Sequence, residues 1–588
     1  MAILLAPVPA SADNASTVTV VGASGPADSG LIQHVVQPQF KAAFPQYTLN
    51  YTGSAASTAV QSAENGTGGP SVVFLDSPAL ESAFVAGGYS YENQFGSAVY
   101  SGDFVVAGPT ADTNHANVAA NAGHNVAQAF ADIATAGVSG HATFISRGGT
   151  TTASVVTIRE HAIWALVYSA GLTPANVVLC NVSVGDGGGM SPIDPSVQAT
   201  SGQACPDSGT VASPHNPSWY LINTGASQGA NVVAVNSCTL AGSVPNGCYT
   251  LTDRGTFDYL LSGTDPAGTI PNLTILSREN AASAPGGANE LTDYFHAYAI
   301  NPAKPGETVN LQGAKDFLGF LTSPALQSQL GIYLNTAGDP GGPPFRADAS
   351  PALSATPSTG SVAAGQTVTV SGRVTNFEPG YPALAGKVVT VDRVDGATPT
   401  VVGSGMTDAA GNYSVTFAPP ATGSYQVTTG QLAQIEDTSV TPAFGDLLAP
   451  AAAPTFPITV ATPAAQPHGL GAVSFKAVKA KKGLVTVSGA LGSPPTVSGA
   501  TVRLLALQTG RLRGRRHAKK HARASSVATA AAKPATFAQA AAVSVATGSA
   551  KFTIKHKFKR GFRYALQLEY AAPGQTPTSS KFDYVEVR

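Results

Sequence analysis

ATFISRGGTTTASVVTIREHAIWALVYSAG, residues 142–171, decides the fold. A short apolar run leads into a turn of serine, glycine and threonine, and a long segment with helical apolar spacing follows. The same plan occurs three times upstream. STVTVVGASG (16–25) runs into DSGLIQHVVQPQFKAAF (28–44), and YTLNYTGSAASTAVQSAENG (47–66) and SVVFLDSPALESAFVAGGY (71–89) repeat it. Strand–turn–helix alternation predicts α/β layering with largely parallel sheets. Pro38 lacks an amide hydrogen and is expected to kink or break the first of these helices.

The 588 residues exceed one domain, and several are expected, each with its own core. Charged residues make up only 11% while Gly numbers 63 and Pro 42, a loop-rich composition that fits a secreted or cell-envelope protein. MAILLAPVPASAD reads as the remnant of a signal peptide over residues 1–12, with Ala10-Ser11-Ala12 as the cleavage pattern. No cysteine follows it to carry a lipid, and no later apolar run reaches 18 residues. The four cysteines, Cys180, Cys205, Cys238 and Cys248, allow three pairings. Sequential pairing, 180–205 and 238–248, closes two local loops and is expected over a metal site, because there is no C-x-x-C pair and no histidine cluster. Residues 181–218 read as a long loop pinned by the first bridge.

Beyond a linker at 341–352 the pattern changes to all-strand. TVTVSGRVTN, GKVVTVDRV, NYSVTFAPP and SYQVTTG alternate apolar and polar residues between Gly, Pro and Asn turns, as sandwich strands do. VTVSG at 368–372 recurs at 485–489, AGKVVTV (385–391) has a counterpart in SGATVRLLAL (498–507), and GNYSVTF (411–417) in GSAKFTI (548–554). Two tandem β-sandwiches are expected, 353–460 and 468–588, behind a two-lobed head at 17–340. The second carries a basic and Ala-rich insertion at 511–543. Its run Arg511–Arg523 is either a solvated loop or a contact to an anionic cell-envelope polymer. No aromatic residues interleave it, so nucleic acid is not expected as a partner.

Residues 1–350 hold 8 Lys+Arg against 23 Asp+Glu, and only Lys41, Arg147, Arg159 and Arg254 are basic before position 270. In parallel α/β sheets ligands sit beyond the carboxyl ends of the strands, where helix amino termini present free N–H groups to anions. Three such turns here hold short hydroxyl donors: Ser24 in GASG, Ser54 in TGSAAS, and Ser146 with Thr150, Thr151 and Thr152 in SRGGTTT. Arg147 supplies the one formal charge among them, which points to a site for a small oxyanion. Taken singly, each turn is also ordinary helix capping.

AVYSGDFVVAGPTAD (98–112), FISRGG (144–149), WYLINTGASQGANVVAV (219–235), CYTLTDRGTFDYL (248–260) and AINPAKPGETVNLQGAKDFLGFLTSPALQSQL (299–330) together resemble the exported tungstate-binding proteins of ABC uptake systems. That resemblance covers 17–335 and implies the type II periplasmic binding protein fold: two α/β lobes joined by two hinge crossings that close over an oxyanion. It implies Arg147 as an anion ligand, Ser24, Ser54 and Thr150–Thr152 as donors, and an ABC permease as partner. By the same resemblance TDRGT looks structural, with Asp253 and Arg254 pairing at the hinge. The chain departs from the family twice. Its first loop is GASGPA where the family is Thr-rich, and Asp76-Ser77-Pro78 stands where the family usually has His-Ala-Pro. Tungstate and molybdate are unprotonated dianions that a carboxylate repels, whereas monohydrogen phosphate can donate its proton to one, as related phosphate-binding proteins require. Asp76 is therefore either a ligand contact that favours phosphate or the N-cap of the following helix.

The expectation is a monomeric solute-binding protein without cofactor or metal, taking tungstate, molybdate or phosphate. The alternative is a surface interaction protein that keeps the fold, its sandwiches acting as stalk or adhesin; TDAAGNYSVTFAPPATGSYQV (407–427) looks like bacterial immunoglobulin-like modules. An enzyme is not expected, because HExxH and P-loop motifs are absent and His161 beside Glu160 has no base–orienter arrangement.

Overall fold

The computed structural model describes residues 16–588 except 93–94, 149–153, 183–187, 195–215, 305–307, 336–340, 377–382, 397, 439–440, 462–472, 493, 496–497, 513–535 and 574–576. Two compact units emerge, Met1–Val460 and Ala461–Arg588. No described helix is long and apolar enough to cross a membrane.

In the head, the strands are β1 (Thr17–Ala23), β2 (Thr48–Ser54), β3 (Val72–Leu75), β4 (Gly96–Pro109), β5 (Thr143–Ser146), β6 (Val178–Val182), β7 (Gly189–Ile193), β8 (Tyr220–Ile222), β9 (Cys248–Asp253), β10 (Leu273–Ser277) and β11 (Thr292–Ala299). The helices used below are α1 (Gly25–Asp28), α2 (Gln37–Ala43), α3 (Ala56–Glu64), α4 (Pro78–Ala86), α5 (Val118–Ala122), α6 (Val126–Val138), α7 (Val155–Ser169), α8 (Gln228–Ser237) and α9 (Arg254–Leu261). The main sheet runs β2-β1-β3-β11-β4-β9-β5-β8. β1 is parallel to both β2 and β3, and β5 is parallel to β8 and β9. These are the two lobes.

β4 joins them. Its first half pairs with β11 as far as Asp103↔Thr292, and from Phe104↔Asp253 onward it pairs with β9. All fourteen of its positions are buried, so the crossing runs through the core. Each lobe has its own apolar cluster. In the second lobe α7 buries Val156, Ile163, Trp164 and Val167, a helical spacing that lays one face against Phe130 of α6 and Phe144 of β5. Each such side chain contributes about 1.5–3 kcal/mol when fully buried.

Pro38 does not break the first helix. A wide π-turn at Ile32–Val36 runs directly into α2, where Pro38 occupies the first turn. The wide turn takes up the ring and the missing donor without ending the helix. Part of the stretch expected as a long loop is also structured, since β6 and β7 form an antiparallel hairpin from Val178↔Ile193 to Val182↔Gly189. Cys238 and Cys248 form a disulfide. The expected bridge from Cys180 involves Cys205, which lies outside the described residues.

The first sandwich packs Val368, Val370, Tyr413 and Val415 of one sheet against Val389, Val391, Tyr425 and Val427 of another. It is joined to the head through the sheet itself. The hairpin Leu432–Asp437/Phe444–Leu448 adds a parallel strand to β4 at Asp446↔Gly96 and Leu447↔Ser97, and Arg346–Ala347 adds an antiparallel one at Ser101 and Tyr100. At that seam buried His296 lies 2.7 Å from Asp446 and 3.1 Å from Glu81. Burial alone would lower the imidazole's pKa, but the two carboxylates outweigh it and hold it well above its usual value.

Described by itself, the second unit repeats the pairing scheme of the first sandwich. Val368–Thr375 pairs with Asn412–Phe417, and its counterpart Leu484–Leu491 pairs with Lys551–Lys557. Val388–Arg393 lies between Thr400–Met406 and Gly423–Thr429, just as Thr501–Arg511 lies between Ala538–Ser544 and Phe562–Ala571. The recurring VTVSG thus marks equivalent strands. The run Arg511–Arg523 falls, beyond Leu512, outside the described residues.

Candidate functional site

The carboxyl ends of β1, β2, β3, β5 and β9 converge on one small cavity between the lobes. Ser24 and Gly25 follow β1, Ser54 ends β2, Asp76 follows β3, Arg147 follows β5, and Asp253 ends β9; Asp293 enters from β11 and Phe104 from β4. Ala56 at the start of α3 and Ser154–Val156 at the start of α7 complete the wall. The cavity measures about 20 Å³, room for about one water-sized sphere. Organic solutes usually occupy roughly 300–1,000 Å³. Its size is that of an inorganic ion.

Among the described residues Arg147 is the one basic side chain in this wall. Its Nη2 donates to Ser24 Oγ at 2.9 Å, and its Nε donates to the carbonyl of Ala226 at 3.2 Å. The first bond crosses from lobe to lobe. A second crossing is made by Asp28, whose Oδ2 accepts from the backbone N–H of Gln228 at 3.0 Å, at the start of α8. A carboxylate there complements the helix dipole, so the lobes are held together by an acid of the chain itself. Desolvation lowers the Arg147 pKa, and Asp28, Asp253 and Asp76 oppose that shift. The guanidinium stays charged.

Around this one cation stand four acids. Asp76 Oδ1, Asp253 Oδ2 and Asp293 Oδ1 are buried and have no hydrogen-bond partner among the described residues. Burial pushes Asp76 and Asp293 well above the usual carboxylate range; Glu81 adds to the first shift, and Asp76 adds to the second. Burial also raises Asp253, to about 6, against the N–H of Thr256 that its other oxygen accepts at 2.7 Å. Asp28 is raised as well, chiefly by burial. No group of three or more His, Cys, Asp or Glu among the described residues is placed to hold a metal ion. What the acids offer is hydrogen-bond capacity, as acceptors when ionised and as donors when protonated.

These shifts have a consequence for stability. A carboxyl whose folded pKa lies above its unfolded value stabilises the fold below the unfolded pKa, and the contribution is lost as pH rises through the folded one. Asp253 and Asp348 are both raised from 3.8 to about 6 by burial. Each should contribute about 1.4 kcal/mol more at pH 5 than at pH 7.5. Asp76, Asp293 and His296 are shifted in the same direction. We expect the ligand-free protein to melt at a higher temperature at pH 5 than at pH 7.5, measured by calorimetry. A lower melting point at pH 5 would show that these acids are ionised in the folded protein.

Of the residues read from sequence, the structure brings together Ser24, Ser54, Asp76 and Arg147, while Thr150, Thr151 and Thr152 lie outside the described residues. Two expectations need correction. Asp76 does not cap α4: the residue at that N-cap is Ser77, and Asp76 faces the cavity. Asp253 and Arg254 do not pair. Arg254 turns away from the cavity to Asp103, its Nε 2.8 Å and 2.9 Å from the two carboxylate oxygens. The strand-to-helix turn sends consecutive side chains in opposite directions. The sequence reading missed Asp253 and Asp293 as cavity groups, and Asp28 as the acid that bonds across the lobes. Asp253 stood inside a noticed motif, whereas Asp293 lies in the strand sequence TDYFHAYA, which carries no local signal.

A larger cavity of about 250 Å³ lies at the seam with the first sandwich, lined by Tyr91, Lys315, Leu318 and Leu447 among others. Its one lysine is 3.5 Å from Glu92 and 4.9 Å from the Tyr91 ring centroid, and none of the unpartnered buried polar atoms lies in its wall. The chemistry is in the smaller one.

Residues 7–325, more than half of the chain, match the family described as PBP superfamily domain. A Haloferax volcanii protein named "Putative ABC transporter anion-binding protein" is 26% identical over 306 residues, which are 52% of this chain and 66% of that protein. The chain thus spans just under two thirds of that relative's length. A tungstate-binding protein from Desulfovibrio alaskensis is 23% identical over 57% of this chain and 99% of that one, with a TM-score of 0.36. A tungstate ABC transporter structure from Geobacter sulfurreducens is 24% identical over 53% and 95%, with a TM-score of 0.34.

Proposed function

The chain belongs to the PBP superfamily-domain family through residues 7–325, and on that premise we propose that it is a solute-binding protein capturing a tetrahedral oxyanion for an ABC uptake system. The observation that carries the reading is Arg147, a half-buried guanidinium bonded across the lobes to Ser24 in an ion-sized cavity. The name of the Haloferax relative supports the anion and the transporter. Capture needs no chemistry on the ligand. Closing the lobes removes the ion from water and aims Arg147, the Ser24 and Ser54 hydroxyls and the start of α3 at it, whose N-cap Ala55 offers no side-chain cap. An ABC permease is the partner.

Among oxyanions, a tungstate- or molybdate-type dianion is the ligand that the sequence resemblance implies. The unpartnered oxygens of Asp76, Asp253 and Asp293 favour a second reading, hydrogenphosphate. A fully deprotonated dianion can bind among these acids only if they hold protons, so its affinity must fall as pH rises. Hydrogenphosphate brings a proton of its own. Calorimetric titration with phosphate, molybdate and tungstate between about pH 5.5 and pH 8 separates the cases. With phosphate as the ligand, Asp76→Asn should weaken phosphate binding about tenfold, the loss of one charge-assisted hydrogen bond, and leave tungstate binding unchanged or stronger. Tight tungstate binding that is indifferent to pH and to Asp76→Asn would exclude the phosphate reading. No binding of any of the three at millimolar concentration would exclude capture altogether.

A further inference from the structure

Residues 461–588 carry 21 Lys+Arg against 3 Asp+Glu, in a chain whose net charge is −1. Within that unit, part of the charge is arranged on one face of a three-stranded sheet. Its centre strand, Leu484–Leu491, turns Val485 and Val487 into the core, and its neighbours bury Phe552, Ile554 and Val473. By alternation the opposite face looks outward. Across it, Thr486 is flanked by Lys479 on one side and Lys555 on the other, and Leu484 by Lys481 and Lys557. The next row holds Ser488 and Thr553, whose hydroxyls are 3.4 Å apart, and Lys551 stands opposite Ala490 beyond them. All five lysines are exposed, and none is paired with a carboxylate among the described residues. The face itself carries no acidic residue.

We propose that this lysine and hydroxyl face binds a linear polyanion, an extended polymer whose anionic groups repeat along its length. The geometry gives the class. Lysines two apart on one strand stand roughly 7 Å from each other, and lysines on the two outer strands roughly 10 Å apart. That is a flat lattice for a chain of regularly spaced charges, with Thr486, Ser488 and Thr553 as donors to their oxygens. Surface repulsion among unpaired lysines is relieved when such a polymer replaces their counterions. A membrane surface fits less well, because interfacial binding needs apolar side chains to insert, and the one large exposed apolar residue on this face is Leu484. The proposal stands apart from oxyanion capture, which concerns only the head.

The test uses the full chain and long-chain inorganic polyphosphate, with polyglutamate as a carboxylate polymer and phosphatidylglycerol vesicles as a membrane. Replacing Lys479, Lys481, Lys555 and Lys557 with glutamine should weaken polyphosphate binding at least tenfold. It should also make the slope of log affinity against log salt shallower by about 3, at roughly 0.7 per lost contact. The Lys→Arg versions should retain binding, which guards against a folding defect. Binding of polyphosphate alone identifies phosphate-bearing polymers as the source, and equal binding of polyglutamate extends it to carboxylate ones. Unchanged affinity and slope in the glutamine variant would overturn the proposal. So would complete loss on neutralising only the run 511–523, or binding to the vesicles without binding to either polymer.

Discussion

Replacing Arg147 with alanine is expected to weaken oxyanion binding by between about tenfold and a hundredfold, the range for losing a charge-assisted hydrogen bond of about 1.5–3 kcal/mol. The upper end applies because of what remains. Without the guanidinium the cavity keeps Asp76, Asp253 and Asp293 in its wall and Asp28 nearby, with no cation among its described lining residues. Arg147→Lys should recover only part of the loss, since a point charge cannot reach Ser24 and Ala226 together as the planar fork does. Calorimetry with the tightest-binding anion decides it. Unchanged affinity in Arg147→Ala would remove the residue from the site.

A second large effect concerns stability. Arg254 is 1% exposed and Asp103 3%; they are bonded through Nε, while Nη1 and Nη2 donate to the carbonyls of Gly342 and Pro343 at 2.8 Å and 3.0 Å. Next to them Gly255 leaves room for Phe345, whose ring would sit 2.5 Å from any added Cβ. Breaking a buried ion pair from one side typically costs about 3–5 kcal/mol, because the abandoned charge stays buried. Arg254→Met should destabilise the unit Met1–Val460 by that amount in denaturant unfolding. The double variant with Asp103→Leu should recover a good part of it. If the double variant is no better than the single one, the cost comes from the lost carbonyl contacts and not from the stranded carboxylate.

The contrast between these two arginines shows what was legible in the sequence. Strand–turn–helix periodicity is local, so the segments ending at Ser24, Ser54, Asp76 and Arg147 could be read singly, and parallel packing then brings their turns to one place. The equivalence of Leu484–Leu491 with Val368–Thr375 could be anticipated from a repeated pentapeptide for the same reason. Asp103 and Arg254 are 151 positions apart, and only the switch of β4 from β11 to β9 makes them neighbours. Asp253 and Asp293 likewise meet across that crossing. A residue whose role depends on which strands share a sheet edge leaves no mark on its own few neighbours. The turn at Asp253–Arg254 was misread because adjacency along the chain was taken for adjacency in space.

The strand that Phe444–Leu448 lends to β4 changes what can be cut away. A head severed after residue 335 would lose that strand and the partner at Arg346–Ala347, baring one side of β4 from Gly96 to Ser101. It would also uncover Ala98, which packs into the sandwich core, and leave His296 without Asp446. An unpaired, apolar strand flank is a template for joining another chain. The shortest piece of this protein that keeps both flanks of β4 paired therefore has to run on past Leu448, to about Val460.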